Sequence, residues 1–531
     1  MSQMLSTYPT AVAMFEAATE RNPNGAFIRY FDATLTYREV DRQSSVFAAA
    51  LARHGFSRGD RLGIQAQSLP QAIIAMLATW KLGGVFVAMN PMYRPREVAL
   101  LLNDAQPVVF MAEPQLLNDV FDRLPDGTHR PEIVLSADAV AYGQIDSRIP
   151  LPTPLSSSNY EYFNAYIQRH QQETWKPRDV SPDDIAALIY TSGTTGLPKG
   201  AIITQGGIAL GGALSRDAHA LPEKGNVLAL APLFHVSGVV MSVATAIHAA
   251  AAVIVNYRFH PDVVVEMIEK HAPEAAAGPI TAFIAIMNAK GATREAISKL
   301  KIPMSGGAPV PAAVADSYEE RFGVALRTGY GLTETSGAAF MEPHSERRRI
   351  DPNSGTLSVG KLLPSFEAMI VDENGISLDT GGVGEVVLRG PCVSPGYWRN
   401  PEDSARAMRP DGFYTGDVGF FDADGWLYLI DRKKDVIIAG GYKIWPREVE
   451  DVIYGHPAAL EVAVIGVADS YRGETVKAVI SLKPGAKVDK SEIIDLCREK
   501  LAAYKVPRLV EIIDELPKNP AGKILRRELR E

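Results

Sequence analysis

The stretch LIYTSGTTGLPKG, residues 188–200, governs the reading of the whole chain. An apolar run, Leu188, Ile189 and Tyr190, reads as a buried strand that empties into a loop. The loop carries Gly193, Gly196 and Gly200, the hydroxyls of Thr191, Ser192, Thr194 and Thr195, and one cation, Lys199. Glycines let successive backbone N–H groups turn toward one point, hydroxyls add donors, and a lysine adds charge, so the string is a nest for a polyphosphate. Walker spacing is absent, because Pro198 stands where the second glycine of that motif falls. Ordinary P-loop hydrolase chemistry is therefore disfavoured.

On either side of this loop, apolar strand patterns alternate with helical ones. PTAVAMFEAATER and RPREVALLLNDA have helical spacing, the second opened by Pro95 with Glu97 in its first turn. RLGIQAQ and PVVFMAE read as short buried strands. Such alternation implies an α/β fold with mostly parallel sheets. Residues 239–255 are rich in small apolar side chains but broken by Ser242, Thr245 and His248, which implies a buried helix followed by a strand. Between residues 148 and 180, proline and serine cluster without a period, as in a surface loop. After Gly384 the text turns strand- and turn-rich, consistent with a small distorted barrel. After Asp431 a compact α+β unit follows, built around WPREVEDVIYGH, EVAVIGVA, VKAVISLK and KSEIIDLCREKLA.

The chain has 531 residues, too many for one compact core. Domains are expected at 1–433 and 434–531. A net charge of -8 argues against a nucleic-acid partner, since phosphate backbones need a basic surface. The two cysteines, Cys392 and Cys497, provide neither a disulfide framework nor a metal-ligand spacing, so a reducing, cytoplasmic setting is expected. The first residues have no basic start before an apolar run, unlike a signal peptide, and the last three, Leu-Arg-Glu, are no peroxisomal address.

Five further strings follow in order: APLFHVSG at 231–238, MSGGAPVP at 304–311, TGYGLTETSG at 328–337, YTGDVGFFDADGWLYLIDRKKD at 414–435, and PKNPAGKILRREL at 517–529. Together with the phosphate loop they resemble the motif series of the adenylate-forming superfamily: acyl-CoA synthetases, coumarate-CoA ligases, luciferases and peptide-synthetase adenylation domains. The resemblance runs from Leu35 to Lys523.

It implies the following roles. Thr191, Ser192, Gly193, Thr194, Thr195, Gly196 and Lys199 embrace the phosphates of ATP. Gly307, Ala308 and Pro309 border adenine, and Tyr330 stacks on it beside Gly331. Thr333 meets the α-phosphate, and Glu334 holds Mg2+. Asp417 takes the ribose and Arg432 reaches the ribose or phosphate, whereas Asp422 and Asp424 belong to a turn. His235 orients the carboxylate, and Lys523 is the adenylating cation. Lys434 is the hinge of a mobile C-terminal domain, while Gly440 and Gly441 line the channel for coenzyme A, whose phosphates Arg258 could meet. The acyl pocket is expected among Phe234, His235, Val236, Gly238, Val239, Gly278, Ile280, Gly306 and Gly331.

The implied activity is ATP-, Mg2+- and coenzyme A-dependent activation of a carboxylic acid through its acyl-AMP. The pocket residues are small or aliphatic and supply no second cation, which implies a hydrophobic monocarboxylic acid: a medium- or long-chain fatty acid, or alternatively an aryl or alicyclic acid. Two other readings share the motifs, a free-standing enzyme that loads a carrier protein and a non-catalytic nucleotide- and acyl-binding protein. No carrier-like segment follows residue 523, which favours free coenzyme A, and the intact Thr191, Glu334, Asp417, Arg432 and Lys523 favour catalysis.

Overall fold

The computed structural model describes residues 8–156, 159–192, 198–352, 355–432, 435–439, 442–469, 472–519 and 522–530. Two large sheets form the bulk of the protein. One has seven strands, six of them parallel, with Pro198–Thr204 added antiparallel at the edge beside Ile185–Ser192. The other has nine strands. Its centre is parallel and runs in the order Arg327–Leu332, Ile302–Ser305, Ala275–Gly278, Asn226–Ala229, Ala252–Val255, Ala26–Tyr30.

These strands read as unbroken apolar runs because both faces are covered: every residue of Val85–Met89, Ala252–Val255 and Ala275–Gly278 is buried. Helix Pro70–Lys81 is buried along its whole length, which explains its lack of a polar face. Helix Tyr37–Arg53 starts at Thr36, whose side chain and that of Glu39 cap one another's backbone N–H.

Residues 239–255 do form a buried helix and then a strand. The helix begins at Ser237–Ala244 as a π-type turn, a winding that apolar periodicity does not reveal. The expectation of a featureless loop at 148–180 is corrected: Phe163–Arg169 is a helix that buries Phe163, Tyr166 and Ile167. With so short an apolar face between polar ends, its period does not stand out from the surrounding proline and serine.

A five-stranded sheet including Gly384–Arg389, Gly412–Phe421 and Leu427–Arg432 closes over the nine-stranded one. Beyond it, Ile437, Ile444, Val449, Ile453, Val464, Ile480 and Ile493 gather into a separate small core. The hairpin Ile437–Ala439 with Tyr442–Ile444 belongs to this unit and escapes the sequence pattern. Among the described residues, no helix is long and apolar enough to cross a membrane.

Candidate active site

Parallel strands deliver their following loops to one edge of a sheet, where ligands of open α/β sheets bind. In the nine-stranded sheet, the loop after Asn226–Ala229 carries Phe234 and His235, and the segment after Ala252–Val255 carries Arg258. Ile280 and Thr281 follow Ala275–Gly278, Gly306 to Pro309 follow Ile302–Ser305, and Thr333 and Glu334 follow Arg327–Leu332. Parallel register thus gathers at one edge three motif strings that are scattered over a hundred residues of chain.

Tyr330 is buried, and its hydroxyl donates to Asp417 Oδ2 at 2.7 Å. Asp417 is itself buried and pairs in register with Arg432, whose backbone alone is described. Asp422 accepts from the backbone N–H of Asp424 and Trp426, both at 2.9 Å, as a turn residue does.

Glu334 is only 7% exposed, unlike a solvated loop carboxylate. Tyr397 donates to its Oε1 at 2.7 Å, and its backbone carbonyl accepts from Ser394 at 2.7 Å. The described residues contain no cluster of three or more metal-ligating side chains. A cation on Glu334 would take other ligands from water and a bound phosphate. That is the coordination magnesium prefers, so this lone, fixed carboxylate fits Mg2+.

Lys199 leaves the phosphate loop to pair with Asp403 at 2.7 Å and lies 5.5 Å over the Tyr397 ring. Arg406 also reaches Asp403, at 2.9 Å.

The small unit meets this edge through its last loop. Asn519 and Lys523 form a tight turn through two bonds of 2.8 Å, Lys523 N–H to Asn519 Oδ1 and Asn519 N–H to the Lys523 carbonyl. Thr281 Oγ1 donates to the neighbouring Gly522 carbonyl at 3.2 Å. This brings Lys523 beside His235. Burial, and then the Lys523 charge, pushes the imidazole down to about 4. His235 is therefore neutral at physiological pH and serves as a hydrogen-bonding group; its Nδ1 lies 3.2 Å from Ser237 Oγ.

A second attachment is Arg447, which is 3% exposed. From the helix Pro446–Tyr454 it donates to the carbonyls of Leu429 at 2.9 Å and Leu357 at 3.4 Å. Arg526 reaches Asp431 at 3.2 Å and Glu450 at 2.8 Å.

The residues expected to wall the acyl pocket have packing duties of their own. Val236, Val239 and Ile280 belong to the main apolar core, with Phe234 packed against it. A Cβ at Gly331 would lie 1.9 Å from the Gly337 carbonyl, and one at Gly238 would lie 2.1 Å from that of Pro232. At both glycines the backbone passes too close to admit a side chain. Arg258 stacks over Tyr257 at 5.7 Å, and Tyr257 donates to buried Glu113 at 2.6 Å.

Gly193, Thr194, Thr195, Gly196, Lys434, Gly440 and Gly441 lie outside the described residues, as do the side chains of Ser192 and Arg432. Tyr397, Asp403, Thr281 and Arg447 are absent from the sequence-derived site. The turn-forming string GYWRNPED was the one available hint of the first two.

The AMP-binding enzyme family matches residues 15–398, and its C-terminal domain matches residues 448–523. The chain belongs to this family of adenylate-forming enzymes. It is 33% identical over 548 residues to a long-chain-fatty-acid–CoA ligase of Bacillus subtilis, covering 98% of this chain and 94% of that one. It is 32% identical over 513 residues to a feruloyl-CoA synthase of an Amycolatopsis species, covering 96% of each. Its fold matches a solved anthranilate CoA ligase in complex with anthranoyl-AMP, with a TM-score of 0.88, 28% identity, and coverage of 99% of this chain and 97% of that one.

Proposed function

We propose that this enzyme joins a hydrophobic monocarboxylic acid to coenzyme A at the expense of ATP, releasing AMP and pyrophosphate. The observation that carries the reading is the docking of the Gly522–Lys523 turn onto Thr281 beside His235, at the edge where Tyr330, Asp417 and Glu334 converge.

A carboxylate is a weak, negatively charged nucleophile approaching a negatively charged phosphate, so the site must neutralise charge. Lys523 and Lys199 supply positive charge, and Thr191 with the rest of the loop at 192–196 supplies hydroxyl and N–H donors. Tyr330, Gly307, Ala308 and Pro309 receive adenine, and Asp417 with Arg432 receives the ribose. Glu334, with Thr333 beside it, would hold Mg2+, whose chemistry there is to offset phosphate charge. A carboxylate oxygen bonds to the α-phosphorus as the bond to pyrophosphate breaks. His235, being neutral, orients the acid without competing for it as a cation.

In the second step the coenzyme A thiol, losing its proton, attacks the acyl carbon of the mixed anhydride, and AMP leaves. The unit 434–531 is proposed to turn about Lys434 between the steps, withdrawing Lys523 and presenting Gly440 and Gly441 to pantetheine, with Arg258 toward the coenzyme A phosphates. Neither cysteine is needed, and both thiols are free and buried, in keeping with a cytoplasmic enzyme.

Relatives named for fatty-acid and feruloyl substrates match almost equally, so both acid classes belong in the test. AMP formation is measured with ATP, Mg2+ and coenzyme A over fatty acids of increasing length and over aryl and alicyclic acids. Multiple turnovers that require both coenzyme A and an apolar acid are expected. Acid-dependent pyrophosphate release that stops after one turnover with coenzyme A present would instead indicate a carrier-protein loader.

A further inference from the structure

One strap of chain, residues 394–404, touches both charged groups assigned above to the triphosphate and its cation. Its backbone is stitched onto the strand after the phosphate loop: Trp398 N–H donates to the Gly200 carbonyl at 2.8 Å, and Ile202 N–H donates to the Gly396 carbonyl at 3.1 Å. Ser394 holds the Glu334 carbonyl, and Ser404 Oγ accepts from Tyr397 N–H at 2.8 Å.

From this fixed backbone, Tyr397 points its hydroxyl at Glu334 Oε1, 2.7 Å away, and lays its ring under Lys199 at 5.5 Å. Asp403, from helix Pro401–Ala407, takes the lysine at 2.7 Å.

Lys199 and Glu334 thus share Tyr397 as a neighbour, and opposite charges this near attract, so an ion pair between them would have to break before either could serve a ligand. Among the described residues, Lys199 and Glu334 do not pair with each other; each has its own partner from the strap.

We propose that Tyr397 is a positioning residue for adenylation, holding the Glu334 carboxylate ready for the divalent cation while its ring, with Asp403 drawing off Lys199, prevents the two charges from collapsing together. This rests on the reading of Glu334 as the residue that holds the cation. Groups that orient a metal ligand commonly govern affinity for the metal by ten- to a hundredfold.

The test uses Mn2+ as the probe, its free concentration read by electron paramagnetic resonance in the presence of full-length enzyme, a non-hydrolysable ATP analogue and acid. Tyr397→Phe keeps the ring and removes one oxygen. It is expected to weaken Mn2+ binding about tenfold or more and to raise the Mg2+ concentration needed for pyrophosphate release, with a smaller effect on the rate at saturating Mg2+. Glu334→Gln is expected to weaken Mn2+ binding further, and adding Tyr397→Phe to it should change nothing more. Asp403→Asn, which frees Lys199 toward Glu334, should weaken Mn2+ binding in the same direction.

If Glu334→Gln weakens Mn2+ binding while Tyr397→Phe and Asp403→Asn both bind it as the unaltered enzyme does, the positioning role is overturned and the Glu334 reading stands. If Glu334→Gln itself binds Mn2+ normally, the underlying reading falls and the proposal falls with it.

Discussion

The Tyr330 hydroxyl and the Asp417 carboxylate meet at 2.7 Å although 87 residues separate them, tying the nine-stranded sheet to the five-stranded one at the edge proposed to take the nucleotide. Both side chains are buried. The bond fixes the carboxylate proposed to receive the ribose hydroxyls and the ring proposed to meet adenine. Charge-assisted bonds of this kind contribute about 1.5–3 kcal/mol each. Asp417→Asn should therefore raise the KM for ATP in pyrophosphate exchange by about ten- to a hundredfold, whereas Tyr330→Phe, which leaves the carboxylate, should raise it less. Equal KM values for Asp417→Asn and the unaltered enzyme would remove Asp417 from the nucleotide site.

The turn seated on Thr281 brings Lys523 beside His235. Its ammonium is assigned to the first step alone. Lys523→Ala should lower acid-dependent pyrophosphate formation by about a hundred- to a thousandfold, the range seen for loss of one transition-state donor. It should leave thioester formation from supplied acyl-AMP within a few-fold of normal. Rapid-quench measurement of each step checks this, and a parallel loss in both would show that Lys523 holds the fold rather than the transition state.

Arg447 places the small unit on the large one by donating to Leu429 and Leu357 carbonyls. A turn of that unit must break these bonds. Arg447→Ala should therefore slow acyl-AMP formation several-fold more than thioester formation, because the arrangement that seats Lys523 loses two of its ties. The same pair of half-reaction assays decides it; a selective loss of the second step would contradict the assignment.

His219 supplies a stability prediction. It is fully buried, and burial holds its imidazole down to about 4 although Ser215 O, 2.7 Å from Nδ1, opposes that shift. Unfolded histidine titrates near 6.5. Well above about 6.5 both states are neutral and the histidine adds no pH dependence. As pH falls toward about 4 the unfolded chain takes up a proton that the folded one refuses, and stability is lost. His219→Asn keeps a donor near the Ser215 carbonyl but cannot titrate. Its unfolding free energy should fall less steeply between pH 6.5 and 4 than that of the unaltered enzyme, by up to one proton's slope, about 1.4 kcal/mol per pH unit. Identical slopes in calorimetry would refute the shift.

How much of this was legible beforehand follows from where each signal lies. The buried parallel strands announce themselves because apolar runs such as Arg61–Gln65 and Val109–Ala112 are local, and the motif strings are contiguous. The helix Phe163–Arg169 was hidden because it is short, with three buried positions among polar neighbours. Tyr397 and Asp403 were hidden for another reason. Their partners, Glu334 and Lys199, lie 63 and 204 residues away in the chain, and only the folded sheet edge brings them together. Gly331 and Gly238 lie against backbone that leaves no space for a side chain, a reason for glycine that the sequence alone does not reveal.

The most direct test of the central claim follows an oxygen atom. An acid carrying heavy oxygen in its carboxylate is turned over with ATP, Mg2+ and coenzyme A, and the AMP and pyrophosphate are examined by mass spectrometry. Attack of the carboxylate on the α-phosphorus predicts one labelled oxygen in AMP and none in pyrophosphate. Label in pyrophosphate or in free phosphate, with unlabelled AMP, would contradict an acyl-AMP intermediate and with it the roles assigned to Lys523 and Glu334.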